Sequence, residues 1–137
     1  MSSSLREKLE KIQQLLERLA KESTKGTPII VEGQNDVATL HKLRIGGDII
    51  SAKSAGKSLV DVLSEAEHRQ STEIILLLDF DRRGIEWTRR ITRRLERRRI
   101  KANTFYWKRL KAMVGRDVKD IEGLSTYLET LTKKCGR

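Results

Sequence analysis

The sequence is short of several residue types, and each shortage closes off a class of answers. A single cysteine, Cys135, in 137 residues excludes an internal disulfide and any cysteine-based zinc site. The two histidines, His41 and His68, have no second histidine, cysteine or acid at ligand spacing, so neither is expected to bind zinc. No apolar run approaches the ~18 residues that a membrane-spanning helix requires. Met1 to Lys8 carry charge where a secretory leader needs an apolar stretch. The expected setting is therefore cytoplasmic. What is present is 37% hydrophobic and 35% charged, with enough aliphatic runs for one packed domain rather than a disordered chain.

The charge is unevenly placed. The chain holds 29 Lys and Arg against 19 Asp and Glu, a net charge of +10. Residues 82–116 alone hold 14 basic and 2 acidic residues, a net of +12, and the remainder is slightly acidic. A basic block confined to one quarter of the chain points to a polyanion, with nucleic acid ahead of an acidic membrane surface.

Apolar spacing predicts the order of elements. Leu5, Leu9, Ile12, Leu16 and Leu19 make one stripe of a helix over 4–22, opened by a Ser4/Glu7 capping box. About two heptads is short for a coiled coil, so this helix is expected to lie on its own domain; a weak homodimer through it is the other expectation. Strands are predicted at 29–31, 48–52, 74–78 and 102–107. Helices are predicted at 36–44, 58–69, 86–99 and 121–133. Strands alternating with helices imply βαβ units and a mainly parallel sheet.

Three acids follow the two most apolar strands directly. Glu32 follows Ile29-Ile30-Val31, and Asp79 and Asp81 follow Ile74–Leu78. In an open parallel sheet, ligands bind beyond the carboxyl ends of the strands. If the two strands are neighbours, the acids converge, and converging carboxylates call for a cation such as magnesium. Each acid alone also has a plain explanation as a helix cap or a solvated loop residue. Gly33 and Gly84, just after these acids, permit either a close approach to phosphate or an ordinary tight turn.

Ile30-Val31-Glu32-Gly33, followed by Leu78-Asp79-Phe80-Asp81-Arg82-Arg83-Gly84, resembles the two signature motifs of the Toprim domain. Val118-Lys119-Asp120-Ile121-Glu122 is similar to the lysine-aspartate-x-acid stretch near the end of primase-like Toprim domains. The resemblance spans about 27–123 and is to small stand-alone Toprim proteins and ribosomal-RNA maturation nucleases. It implies an α/β Toprim fold, with about four mainly parallel strands flanked by helices. Residues 26–137 would form that domain, and residues 1–25 an extra amphipathic helix packed on it or extending it. It also implies Glu32 as general acid or base, with Asp79 and Asp81 joining it around magnesium or, alternatively, manganese. Asp120 and Glu122 would have an outer or second-metal role. Gln34 departs from the pattern, because related nucleases often carry lysine there.

The helix expected at 86–99 has one apolar stripe, Trp87, Ile91 and Leu95, and otherwise mostly arginine. Glu86 and Glu96 are its only acids and cannot neutralise it. Arginine binds phosphate bidentately, so Arg82, Arg83, Arg89, Arg90, Arg93 and Arg97 are expected on a nucleic-acid backbone, although a solvated charged face is the alternative. Tyr106 and Trp107 offer either stacking surfaces or core. Residues 51–58 resemble a phosphate-binding loop but have Ser51 where glycine is needed, leaving only phosphate contacts by Lys53 or Lys57 as an expectation. Two functions follow. One is a magnesium-dependent nuclease acting on RNA or DNA. The other is a non-catalytic nucleic-acid-binding module of a ribosome, RNA-processing or replication complex.

Overall fold

The aliphatic runs become strands, and the amphipathic stretches become the helices that cover them. The computed structural model describes residues 3–53 and 58–136. In chain order the elements are α1 (Ser3–Thr24), β1 (Ile29–Val31), α2 (Gln34–Lys42), β2 (Ile49–Ser51), α3 (Leu59–His68), β3 (Glu73–Leu76), α4 (Arg82–Arg97), β4 (Lys101–Asn103), α5 (Phe105–Val114) and α6 (Ile121–Cys135). The strands form one parallel sheet in the order β2-β1-β3-β4. The α/β Toprim architecture expected from the motifs is therefore present.

Side-chain alternation along the strands divides the core in two. Ile29, Val31, Ile75 and Leu77 face one way and pack with α1, α2, α5 and α6. Ile30, Ile74, Leu76 and Leu78 face the other way and pack with α3 and α4. Both central strands are thus apolar on both faces, as a helix-covered parallel sheet requires.

The α1 stripe, Leu9, Ile12, Leu16 and Leu19, is buried within the chain, against α5 and α6. That part of the stripe is therefore taken up within the chain, with Leu5 and Leu15 partly buried beside it. Cutting Ile12 or Leu19 back to alanine leaves a cavity in a fully buried site, and the expected cost is about 2–5 kcal/mol in reversible denaturant unfolding. A loss below ~1 kcal/mol would mean that α1 is an appendage.

Two boundaries differ from expectation for identifiable reasons. The arginine helix starts at Arg82, because Asp81 caps it: its carboxylate accepts from Gly84 N at 2.8 Å. The fourth strand ends at Asn103 instead of continuing to 107. There the Asn103 side chain accepts from Phe105 N at 2.9 Å and turns the chain into α5. Tyr106 and Trp107 consequently lie on the inner face of a helix, 2% and 6% exposed, and offer no stacking surface.

Candidate active site

The sheet order creates a cleft. β1 and β3 are neighbours, but β1 leads to β2 on one side and β3 leads to β4 on the other. Strand order reverses between them, and the helices that follow diverge beyond their carboxyl ends. Glu32 and Asp79 sit there. Leu77 N donates to Ile30 O at 2.9 Å, so the two chains leave the sheet side by side.

Glu32 is only 3% exposed, and its Oε2 pairs with Lys53 Nζ at 3.3 Å. Lys53 is held in place through its backbone, whose N–H donates to Glu32 O at 2.9 Å. Lys53 and Lys57 are the lysines expected on phosphate, and in the structure the Lys53 ammonium pairs with the glutamate. Lys57 and residues 54–56 of the phosphate-loop lookalike lie outside the described residues.

Asp79 is half-buried beside this pair. Desolvation first, then the hydrogen bond to Glu32 and the charges of Glu32, Asp36 and Asp120, push its carboxyl up to about 8. Asp36, 6% exposed at the start of α2, is raised by burial and by Asp120, Glu32 and Glu122, against the opposing hydrogen bond from Gly33 N. Glu32, Asp36, Asp79 and Asp120 thus share one electrostatic environment. Asp36 was not among the residues expected in the site, because an acid in the first turn of a helix reads as an ordinary cap.

These shifts fix a sign for the pH dependence of stability. Between pH 3.8 and about 8 the unfolded chain has lost the Asp79 proton while the folded chain keeps it. Metal-free protein should therefore lose stability as pH rises through this window, by at most ~1.4 kcal/mol per unit from Asp79. Asp79→Asn should flatten that slope and melt higher than wild type at pH 8. Identical melting-versus-pH curves for the two proteins would contradict the coupling.

Apart from the proton they share with each other, Glu32 Oε1 and Asp79 Oδ1 are buried and have no hydrogen-bond donor. One shared proton or one cation would satisfy both. Among the described residues, no three carboxylate, imidazole or thiolate groups are placed to hold a metal together. Magnesium, however, commonly takes only one or two protein carboxylates and keeps its waters for substrate phosphate. A cation that displaces the shared proton would meet two acid oxygens with no other donor, which suits such an ion.

The other acids have local partners. Asp81 is exposed and caps α4, as noted, and Asp120 caps α6 by accepting from Gly123 N at 2.6 Å. Glu122 is exposed in the first turn of α6. The loop carrying Asp79 is tied down from two sides. Trp107 Nε1 donates to Asp79 O at 3.2 Å, and Phe80 N donates to Lys119 O at 2.7 Å. Trp107 is a positioning residue that sequence reasoning missed, because the first turn of its helix reads as the end of a strand.

The two site glycines differ. A Cβ at Gly84 would stand 2.0 Å from Asp79 O, so α4 meets the Asp79 backbone with no room for a side chain. Gly84→Ala should destabilise by about 1–3 kcal/mol, read by thermal unfolding. A Cβ at Gly33 would meet nothing nearer than Asp36 Oδ2 at 4.0 Å, leaving open space beside the acids, and Gly33→Ala should fold normally.

Beyond Asp81 the basic face begins. Gly84, Thr88, Ile91 and Leu95 are the buried side of α4. Arg82, Arg83, Arg89, Arg90, Arg93 and Arg97 are exposed. Arg82 lies within 3.8 Å of Glu86 and Arg83 rests over the Trp87 ring. Among the described residues, Arg89, Arg90, Arg93 and Arg97 have no acid within ion-pair distance. No helix of the described residues is long and apolar enough to cross a membrane.

The chain is similar to known proteins in sequence and in fold. The Toprim domain model matches residues 27–105. A UPF0292 protein of Methanosarcina acetivorans is 32% identical over 131 residues, covering 96% of this chain and 89% of its own. A UPF0292 protein of Methanocaldococcus jannaschii is 37% identical over 123 residues, covering 89% and 93%. A solved structure of a protein from Aquifex aeolicus superimposes with a TM-score of 0.67 at 26% identity, covering 80% of this chain and 94% of that one. With the strand-end motifs, the sheet order and these relatives in agreement, the chain belongs to the Toprim family and, within it, to the UPF0292 proteins.

Proposed function

We propose that this protein is a magnesium-dependent phosphodiester-cleaving enzyme acting on RNA or DNA. The observation that carries this reading is the pair of unsatisfied carboxylate oxygens, Glu32 Oε1 and Asp79 Oδ1, at the point where strand order reverses. Asp79 and Glu32 are the residues that would hold magnesium, or manganese in its place, with Asp81, Asp120 and Glu122 at its periphery. When bound, such an ion polarises a phosphoryl oxygen and makes a water more acidic. Glu32 Oε1 is the proton acceptor, since Oε2 is engaged by Lys53. In this reading Lys53 releases Glu32 and meets an incoming phosphate. Gly33 leaves open space for that phosphate, and the amides at the start of α2 suit an anion. The exposed arginines of α4 begin one residue after Asp81 and would hold the nucleic-acid backbone without reading its sequence.

One observation favours a second reading, a non-catalytic nucleic-acid-binding module. Lys53 already neutralises Glu32, and among the described residues no third acid completes a metal cluster. Cleavage of labelled RNA and DNA in magnesium separates the two readings. A nuclease cuts one of them and loses that activity in Glu32→Gln and Asp79→Asn. A binding module cuts neither and binds equally well in Asp79→Asn.

A further inference from the structure

The basic block does not end with α4. It continues around the β4 edge onto the opposite face of the sheet. There, α1 and α5 border a groove of about 410 Å³ lined by Lys11, Gln14, Leu15, Arg18, Phe105, Arg109 and Met113. Three cations and no acid line it. The Arg18 and Arg109 guanidinium carbons lie 4.8 and 5.1 Å from the centre of the same half-buried Phe105 ring. Two like charges are thus held over one ring, and among the described residues neither has an acid within ion-pair distance. Cations gathered in a groove without an acid to balance them attract an anion.

The groove is also connected. A second cavity of about 610 Å³ shares Arg18 and Phe105 with it and reaches Lys101, Asn103 and Lys108 at the β4 edge. Its acids are Glu22 and Glu73, and Glu73 accepts from Asn103 Nδ2 at 2.7 Å. β4 packs against α4 as well as β3. Cations therefore run from the α4 arginines past Lys101 and Lys108 to Arg18, Arg109 and Lys11.

We infer that the α1–α5 groove is a second nucleic-acid site, which takes an unpaired nucleotide of a single strand that has crossed the β4 edge from α4. A single strand is favoured because the track bends from one face of the sheet to the other, and because the groove has the size of a one-nucleotide pocket. Guanidiniums supply both kinds of contact such a strand offers, bidentate bonds to phosphate and planar stacking on a base. The inference rests on the reading of this chain as a nucleic-acid-binding protein but not on cleavage.

The test is fluorescence anisotropy in EDTA with two labelled single strands. One is no longer than α4, whose 16 residues span about 24 Å, and the other is long enough to pass β4. The expected result for Arg18→Ala/Arg109→Ala is about tenfold weaker binding of the long strand and a salt slope shallower by about 1.4, with the short strand unchanged. Arg18→Lys/Arg109→Lys should restore the salt slope, and Lys11→Glu, at an exposed position, should weaken only the long strand. The inference is overturned if the groove variants leave the long strand's affinity and slope unchanged while Arg90→Ala/Arg93→Ala/Arg97→Ala weakens it; the α4 face then stands alone. If the α4 variant also has no effect, the basic-face reading falls too.

Discussion

Glu32→Gln is expected to lower magnesium-dependent cleavage of labelled RNA or DNA by about a thousandfold, and Asp79→Asn by at least as much. Glutamine keeps the shape of Glu32 and its buried setting but cannot take a proton on Oε1 or pair with Lys53 Nζ. Asparagine at 79 mimics the protonated carboxyl that the folded chain keeps up to about pH 8, so folding should not suffer. The two variants should therefore combine lost activity with preserved or raised melting temperature. Activity lost only in proportion to unfolded protein would point to a structural role instead. Equal cleavage by wild type and both variants would remove these acids from the chemistry.

Arg90→Ala/Arg93→Ala/Arg97→Ala is expected to weaken nucleic-acid binding on the order of a hundredfold at moderate salt. All three side chains are exposed, and among the described residues none is ion-paired, so their removal costs the fold little. Each lost phosphate contact should reduce the slope of log affinity against log salt by about 0.7–0.9, giving roughly 2–3 in total. A face that is merely solvated would show no change in either quantity. A sequence-dependent loss would indicate base readout instead of backbone contact.

The site's central pair was legible because an acid placed directly after a wholly apolar run must emerge where that strand leaves the sheet. Glu32 and Asp79 could be placed together from that rule alone, given that β1 and β3 are neighbours. Asp81 was harder. Its spacing from Asp79 suggests a shared direction in an extended chain, but the chain turns helical at Arg82 and the side chain folds back onto Gly84 N. Asp36 was hidden by its position in the first turn of α2, where an acid is unremarkable until tertiary packing buries it. The first turn of α5 reads as a strand because Phe105, Tyr106 and Trp107 have strand propensity, which tertiary context readily overrides. The corrective signals were present in Asn103 as a turn residue and in the helical spacing of Tyr106, Leu110 and Val114. Lys53 could not have been assigned to Glu32, since their meeting depends on the β1–β2 register that brings Lys53 N to Glu32 O.

The most direct test of the shared carboxylate site is calorimetric titration of manganese into nucleic-acid-free wild type, Glu32→Gln and Asp79→Asn at pH 8. A saturable site in wild type that is lost or much weakened in both variants is the expected result. No binding by wild type, or the same binding by all three proteins, would contradict a cation held between Glu32 and Asp79.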